Sequence, residues 1–470
     1  MKKEANNKSE SSLAKTFWAF FIMVSFQVFS RSIFWINIVP LSNLFWPYQN
    51  FHAVEMGLIM TITSLTTSIS GILLGKIVDR VSRKAVLFVV SVIIGSTRIF
   101  ISFAQVGLGY ETWGYFLAWM TVSSFFGGGN RPAQVSISND ALKKDKRSQF
   151  FGILGIIWAI AQFLGFLVSA FAFQTGFWRE FLRFTGFMTI ITSIIFWIFT
   201  KEPKRGAQEE ILSEILKDES IEYDFQMTRE IMRKTMLSKT NVAALLEGVF
   251  SCILMGVFFA LVVPYTQLPP HNISGVMISF LLITFGIGGA FIGQLFARMS
   301  DKYAANNPPR RIKFIIFSLS VSLLTFALFF FIPLPNLNPQ QGLDVALLFN
   351  YPSIWIFGIG IIIVFSVMGL YDVNQAPLLQ NINLPEAQGQ IVSWNQFVET
   401  IGTGIGPLIG GILLALYNQN FQITALVTLS FGLPGIFFWI IALRTYPGDR
   451  KVIKEILEER AKLLIAKKQS

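Results

Sequence analysis

Cysteine occurs once, histidine twice, and charge is scarce: Asp, Glu, Lys and Arg make up only 14% of the 470 residues. A single thiol, Cys252, excludes an intramolecular disulfide, a zinc cluster and a CxxC redox pair; in its Phe-rich segment it reads as a small apolar residue. His52 and His271 stand alone, so the paired acids or histidines that a membrane-bound enzyme would carry in substantial loops are missing. No selectivity-filter repeat or ring of like charge marks a channel. A soluble chain of this length would need far more charge to cover its surface. No catalytic group, metal or cofactor is expected.

What is abundant is apolar surface: 53% hydrophobic residues, with 48 Phe and 11 Trp. Uncharged runs cover 32 to 54, 56 to 75, 112 to 130, 148 to 178, 248 to 297, 314 to 343, 345 to 371 and 400 to 443. One such run can be a buried core helix, but their recurrence needs lipid as solvent. Outer-membrane strands would be about 10 residues long and alternate in polarity; these runs are longer and continuous. With charges, Pro and Gly as punctuation, twelve helices fall at about 16–40, 55–75, 85–107, 112–137, 149–173, 181–200, 242–265, 274–297, 312–333, 351–378, 389–416 and 423–443. The fold class is an all-α membrane protein.

Alternate loops collect 33 of the 38 lysines and arginines, and Arg179 and Arg183 alone fall in the opposite loops. The positive-inside rule therefore places both termini in the cytoplasm. The formal net charge of +11 points to anionic lipid headgroups rather than nucleic acid. The polar stretch Lys201 to Thr240 divides the chain into a 1–200 bundle, a 201–240 cytoplasmic linker, a 241–445 bundle and a 446–470 tail. Within the linker, 209–217 and 225–237 have the spacing of short surface helices, and 449–468 reads as an interfacial amphipathic helix. The N-terminal apolar segment reads as a retained first span rather than a cleaved signal. A monomer in the cell membrane is expected.

Gly71, Gly75 and Asp79 step by four toward a basic turn with Arg80, Arg83 and Lys84; Gly293, Ala297 and Asp301 repeat the step, with Arg310 and Arg311 beyond. Small residues four apart line one helix face and admit a neighbouring helix closely. Gly75-Lys-Ile-Val-Asp79-Arg80-Val-Ser82-Arg83-Lys84 resembles the signature between spans two and three of the major facilitator superfamily, with Ser82 in place of its second glycine. The resemblance covers residues 15 to 445. It implies two six-helix bundles that rock about a central site, spans one, four, seven and ten lining the cavity, and a gating role for Asp79, Arg80, Arg83 and Asp301. Asn130-Arg131-Pro132-Ala133 and Asn374-Gln375-Ala376-Pro377 form a second echo at equivalent places in spans four and ten.

Ionisable groups inside spans are costly, and the default reading of each is functional. Arg31 and Arg98 can neutralise carboxylates or receive an anionic or strongly hydrogen-bonding solute. Glu399, near mid-span with Asn395 one turn away, is the first candidate for carrying a coupling proton or cation, and Asp372 the second; Arg131 and Asp372 can also pair across the inner gate. Asn37 and Trp158 complete the expected substrate-binding set of Arg31, Asn37, Arg98, Trp158, Asn395 and Glu399. The function expected is secondary active transport of a small solute, an organic anion or a sugar; a lipophilic-compound exporter, a transporter-like sensor and a polytopic enzyme are the alternatives.

Overall fold

The computed structural model describes residues 15–78, 81–142, 144–202, 229–304 and 307–469. Regular structure among them is entirely helical. Most spans are apolar all round, as helices solvated by lipid must be. In the first half, span one consists of Trp18–Arg31, Ile33–Ile36 and Ile38–Phe45; spans two and three are Ala53–Val78 and Arg83–Ile101. Span four is Tyr110–Gly127 continued by Asn130–Ala141, and spans five and six are Lys144–Gln174 and Trp178–Phe199. Spans seven to twelve are Lys239–Gln267, Gly275–Ala304, Pro309–Phe329, Pro352–Asn381, Pro385–Leu416 and Phe421–Gln469.

Among the described residues, eleven helical stretches are long and apolar enough to cross a bilayer. The other span is the fourth, expected as a continuous helix over 112–137 but interrupted after Gly127. Gly128 there lies against Ser70 and the Thr67 carbonyl of span two, so closely that a Cβ would collide with both. The interruption thus lets span four press onto span two. Span one breaks too: Asn37, with φ −104° and ψ 26°, leaves the helical region between two of its helices. Its amide returns to the Ile33 carbonyl at 2.8 Å and to Ser169 of span five at 3.2 Å. A side-chain amide bonding its own helix in this way competes with the backbone ladder.

Two boundaries differ from expectation. Span seven runs through Pro264 to Gln267 instead of turning at Pro264, because a proline near the last turn forfeits only one bond of an end already running out of partners. Span twelve, expected to end at 443, continues unbroken through the amphipathic tail to Gln469. Asp449 accepts the Thr240 backbone N–H at 2.9 Å and Thr445 meets Thr240 at 2.7 Å, which fastens that extension to the start of span seven. Of the two short linker helices, the first (209–217) lies outside the described residues, and the second is present as Arg229–Lys234. The Lys234 ammonium, 2.7 Å from Glu230, holds that exposed carboxyl below its ordinary range.

The capping chemistry is local. Ser82 caps span three by accepting the Ala85 N–H at 3.1 Å, and Ser238 caps span seven by accepting that of Asn241 at 3.4 Å; each satisfies one of the four orphan donors of its helix.

Candidate functional site

A cavity of about 2210 Å³ lies among the spans, walled by spans one to five and by parts of seven, eight, ten and eleven. Its lining runs from Leu41 and Phe45 past Gln27 and Gln162 to Arg131, Gln134 and Phe151 at the end that carries the basic loops. The opposite end is shut. Gln267 donates to the Ile36 carbonyl at 2.8 Å, Gln419 to that of Phe51 at 3.2 Å, and the Leu408 N–H to Thr61 at 3.2 Å, each joining the first half to the second.

Span eleven makes that closure with two glycine faces. Gly402, Gly406 and Gly410 abut span seven at Val249, Gly256 and Val257, within one half. Gly404, Pro407 and Gly411 abut span two at Ser64, Gly57 and Ala53, across the halves. A Cβ on Gly57 would come 2.5 Å from the Pro407 carbonyl oxygen, and one on Gly411 would collide with the Ala53 carbonyl. Backbone-to-backbone approach this close is what small residues four to seven apart permit.

Three arginines face the cavity. Arg31 ends the helix Trp18–Arg31, where the helix dipole favours a cation; its side chain is open to the cavity. Arg98, on span three, is only 4% exposed, yet it is among the residues that line the same space. Its Cζ stands 4.7 Å over the Phe34 ring, and its Nε and Nη1 have no hydrogen-bond partner. Mutual contact of Gly95 and Gly186 brings spans three and six together behind it. Arg131, at the mouth, reaches not Asp372, the partner proposed from the sequence, but Gln396: with that amide turned to accept, Nη1 and Nη2 lie 2.7 and 3.2 Å from its oxygen. Span eleven, not span ten, is what span four meets there. Among the described residues lining the cavity there is no aspartate or glutamate.

The carboxylates form a separate group in the second half. Glu247 of span seven is 0% exposed and accepts Tyr371 Oη at 2.8 and 3.1 Å on its two oxygens. Gln375 donates to Tyr371 Oη at 2.8 Å and to Glu399 Oε1 at 3.0 Å, and Asn395 donates to the same Oε1 at 2.7 Å. One continuous chain of hydrogen bonds therefore links spans seven, ten and eleven. Two of its members, Glu399 and Asn395, are legible in the sequence. Glu247 falls inside the expected span 242–265 but is obscured there by its place immediately before the uncharged run 248–297; Tyr371 and Gln375 carry no signal of their own. Glu399 and Asn395 do not line the cavity, but Gln396 and Thr400 on the same helix do. Asp372 is exposed and outside this chain of bonds. Trp158 lines the mouth, whereas Asn37 is spent on span five.

The duplicated motif is duplicated in space. Arg83 donates its backbone N–H to Glu202 at 2.8 Å, brings Nε within 3.6 Å of the same carboxylate and donates to Ser136 of span four at 3.2 Å; Ser82 also bonds Glu202. In the second half Arg311 reaches Asp301 at 2.7 Å and Asn374 of span ten at 3.3 Å. Each arginine begins an odd-numbered span and ties it to the next even one. Asp79 and Arg80 lie outside the described residues. Burial makes the two ties unequal: Arg83 and Glu202 are 3% and 29% exposed, Arg311 and Asp301 14% and 54%. Glu202→Ala is expected to cost about 1–3 kcal/mol and Asp301→Ala less than about 1 kcal/mol, compared by thermal unfolding in one detergent.

The family model described as Major Facilitator Superfamily matches residues 20–381. No curated protein matches the sequence. A bacterial homologue of the human lysosomal transporter Spinster, solved inward-facing and unoccupied, has a TM-score of 0.68 at 16% identity, covering 93% of this chain and 98% of its own. A D-xylose–proton symporter gives 0.62 at 13% identity over 90% of this chain and 96% of its own. A peptide transporter gives 0.60 at 14% identity over 94% and 96%. Identities this low establish a shared fold alone.

Proposed function

This chain belongs to the Major Facilitator Superfamily, whose members are transporters, and from that premise we propose that it is a secondary active transporter that moves a small solute by alternating access and couples the movement to protons through Glu399 and Glu247. The cavity is the inward-open site. The contacts of spans two and eleven and the Gln267–Ile36 bond are the outer gate, and Arg131 with Gln396 contributes to the inner one. Residues 1–200 and 241–445 are the two bodies that rock, in the manner of transporters built from repeats.

The observation that carries the coupling is the hydrogen-bonded chain from Glu247 to Glu399. It holds two carboxyls together without a cation at ion-pair distance among the described residues, and it sits on the helix whose next turn, Gln396 to Thr400, forms cavity wall. Rocking of the second half against the first opens the outer seam and closes the inner one, and so changes the water and solute that reach span eleven beside Glu399. That gives the network two environments, and so two proton affinities.

The test is flux into proteoliposomes of labelled naphthalene-2-sulfonate, xylose and uridine under an acid-outside gradient. At least one solute should accumulate, and a protonophore should collapse the gradient-driven part. Glu399→Gln should lower gradient-driven accumulation about 10-fold or more while counterflow at equal pH persists. Accumulation that ignores the gradient, or a Glu399→Gln protein that still concentrates solute, refutes the coupling.

A further inference from the structure

Resting on that carrier reading, we infer that the solute is an amphipathic organic anion, bound with its oxyanion head between Arg31 and Arg98 and its apolar body against the aromatic wall. Three observations converge. The first is Arg98, a buried cation that the protein leaves without a partner. An ion taken from water without compensation costs several kcal/mol, and this one keeps only a ring face, with Nε and Nη1 unused. The donor fork of a guanidinium fits a carboxylate, sulfonate or phosphate bidentately. Arg31 lines the same space and repels it electrostatically, so the pair is stabilised by one shared negative head.

The second is the absence of any carboxylate among the described cavity residues. A cation or a zwitterion would have no counter-charge for its positive end. A sugar would find no carboxylate to accept from its hydroxyls. The third is the wall. Phe34, Trp35, Phe163, Phe166, Phe259 and Phe365 all line the cavity; Trp35 stacks on Phe166 at 6.1 Å and tilts against Phe259 of the second half at 5.2 Å. A small hydrated anion would leave that surface wet, whereas a ring or acyl body would dehydrate it. Because Trp35 and Phe259 belong to opposite halves, the body would also bridge them.

The experiment measures equilibrium binding of naphthalene-2-sulfonate to the purified full chain in nanodiscs, against naphthalene-2-sulfonamide (same body, no charge) and methanesulfonate (same head, no body). Both analogues are expected to bind at least about 10-fold more weakly. Arg98→Met should weaken the sulfonate at least about 10-fold, the loss of a charge-assisted pair of bonds, while raising the thermal stability of the ligand-free protein, since it removes an unpaired buried charge. That opposite pair of signs separates a binding residue from a structural one. Equal binding of sulfonate and sulfonamide overturns the proposal, as does an Arg98→Met protein with unchanged affinity or with lowered stability. Sulfonate binding without gradient-driven flux would leave the assignment standing and sink the carrier reading; gradient-driven xylose or uridine flux without sulfonate binding would do the reverse.

Discussion

Gly57→Leu is expected to stop transport and to hold the protein open to the outside. Position 57 has no room: a Cβ would stand 2.5 Å from the Pro407 carbonyl and 3.1 Å from the Leu408 Cα, and both are backbone atoms of a helix that cannot step aside alone. Overpacking a tight contact costs roughly 1–3 kcal/mol, occasionally more. That cost falls only on the state in which spans two and eleven touch. Charged against one side of a two-state equilibrium, about 3 kcal/mol changes the ratio of states by about 150-fold, enough to remove nearly all of the inward-open form. Transport should fall by about 100-fold, and Gly411→Leu, pressing on the Ala53 carbonyl from the other helix, should do the same. The check is labelling of Ser64→Cys, in a Cys252→Ser background, by an impermeant maleimide: protected from outside in the parent, reactive in either leucine variant. A Gly57→Leu protein that transports normally would show that this seam is not the outer gate.

The second large effect is on stability and falls at Glu247. Glu247→Ala removes a fully buried side chain and strands the Tyr371 hydroxyl that donates to both of its oxygens. Ser251 and Trp439 are the carboxyl's next polar neighbours. A small cavity together with an unsatisfied buried donor costs about 2–4 kcal/mol. Glu247→Gln fills the same volume, and its amide oxygen still accepts from Tyr371, so its stability should stay within about 1 kcal/mol of the parent. The glutamine variant should nonetheless lose the response of transport to a pH gradient, because an amide cannot take up and release a proton. Thermal unfolding of the two variants beside gradient-driven flux decides the matter. Equal stability of Glu247→Ala and parent would mean that the chain of bonds through Tyr371 contributes little to holding spans seven and ten together.

The spans were legible in the sequence because lipid imposes a length and a polarity that any local window records. So was the duplication, since Arg83 and Arg311 do sit at matching helix starts and reach matching places on spans four and ten. Interruptions within spans were less legible. The break at Asn37 accompanies a side-chain amide shared with Ser169, and the one after Gly127 accompanies the close approach of Gly128 to Ser70; both involve a neighbour far away in sequence. Pairing was the least legible. Arg131 lies against Gln396 rather than Asp372, a matter of which helices meet at the mouth, and nothing in periodicity states it. Glu247 shows a different difficulty: its place inside span seven was legible, but its bond to Tyr371 of span ten was not.

The unbroken helix from span twelve to Gln469 makes the tail a lever. From Thr445 to Gln469 it spans up to about 36 Å at 1.5 Å per residue, and its bonds from Asp449 and Thr445 to Thr240 fix its base to the second half. A rotation of that half on the order of 10° would sweep the far end through roughly 6 Å, a displacement larger than that of the solute-contacting side chains near the pivot. The cytoplasmic tip thus magnifies a motion generated near the membrane centre, and a fluorophore placed there, paired with one on the first half, would read each turnover from outside the bilayer.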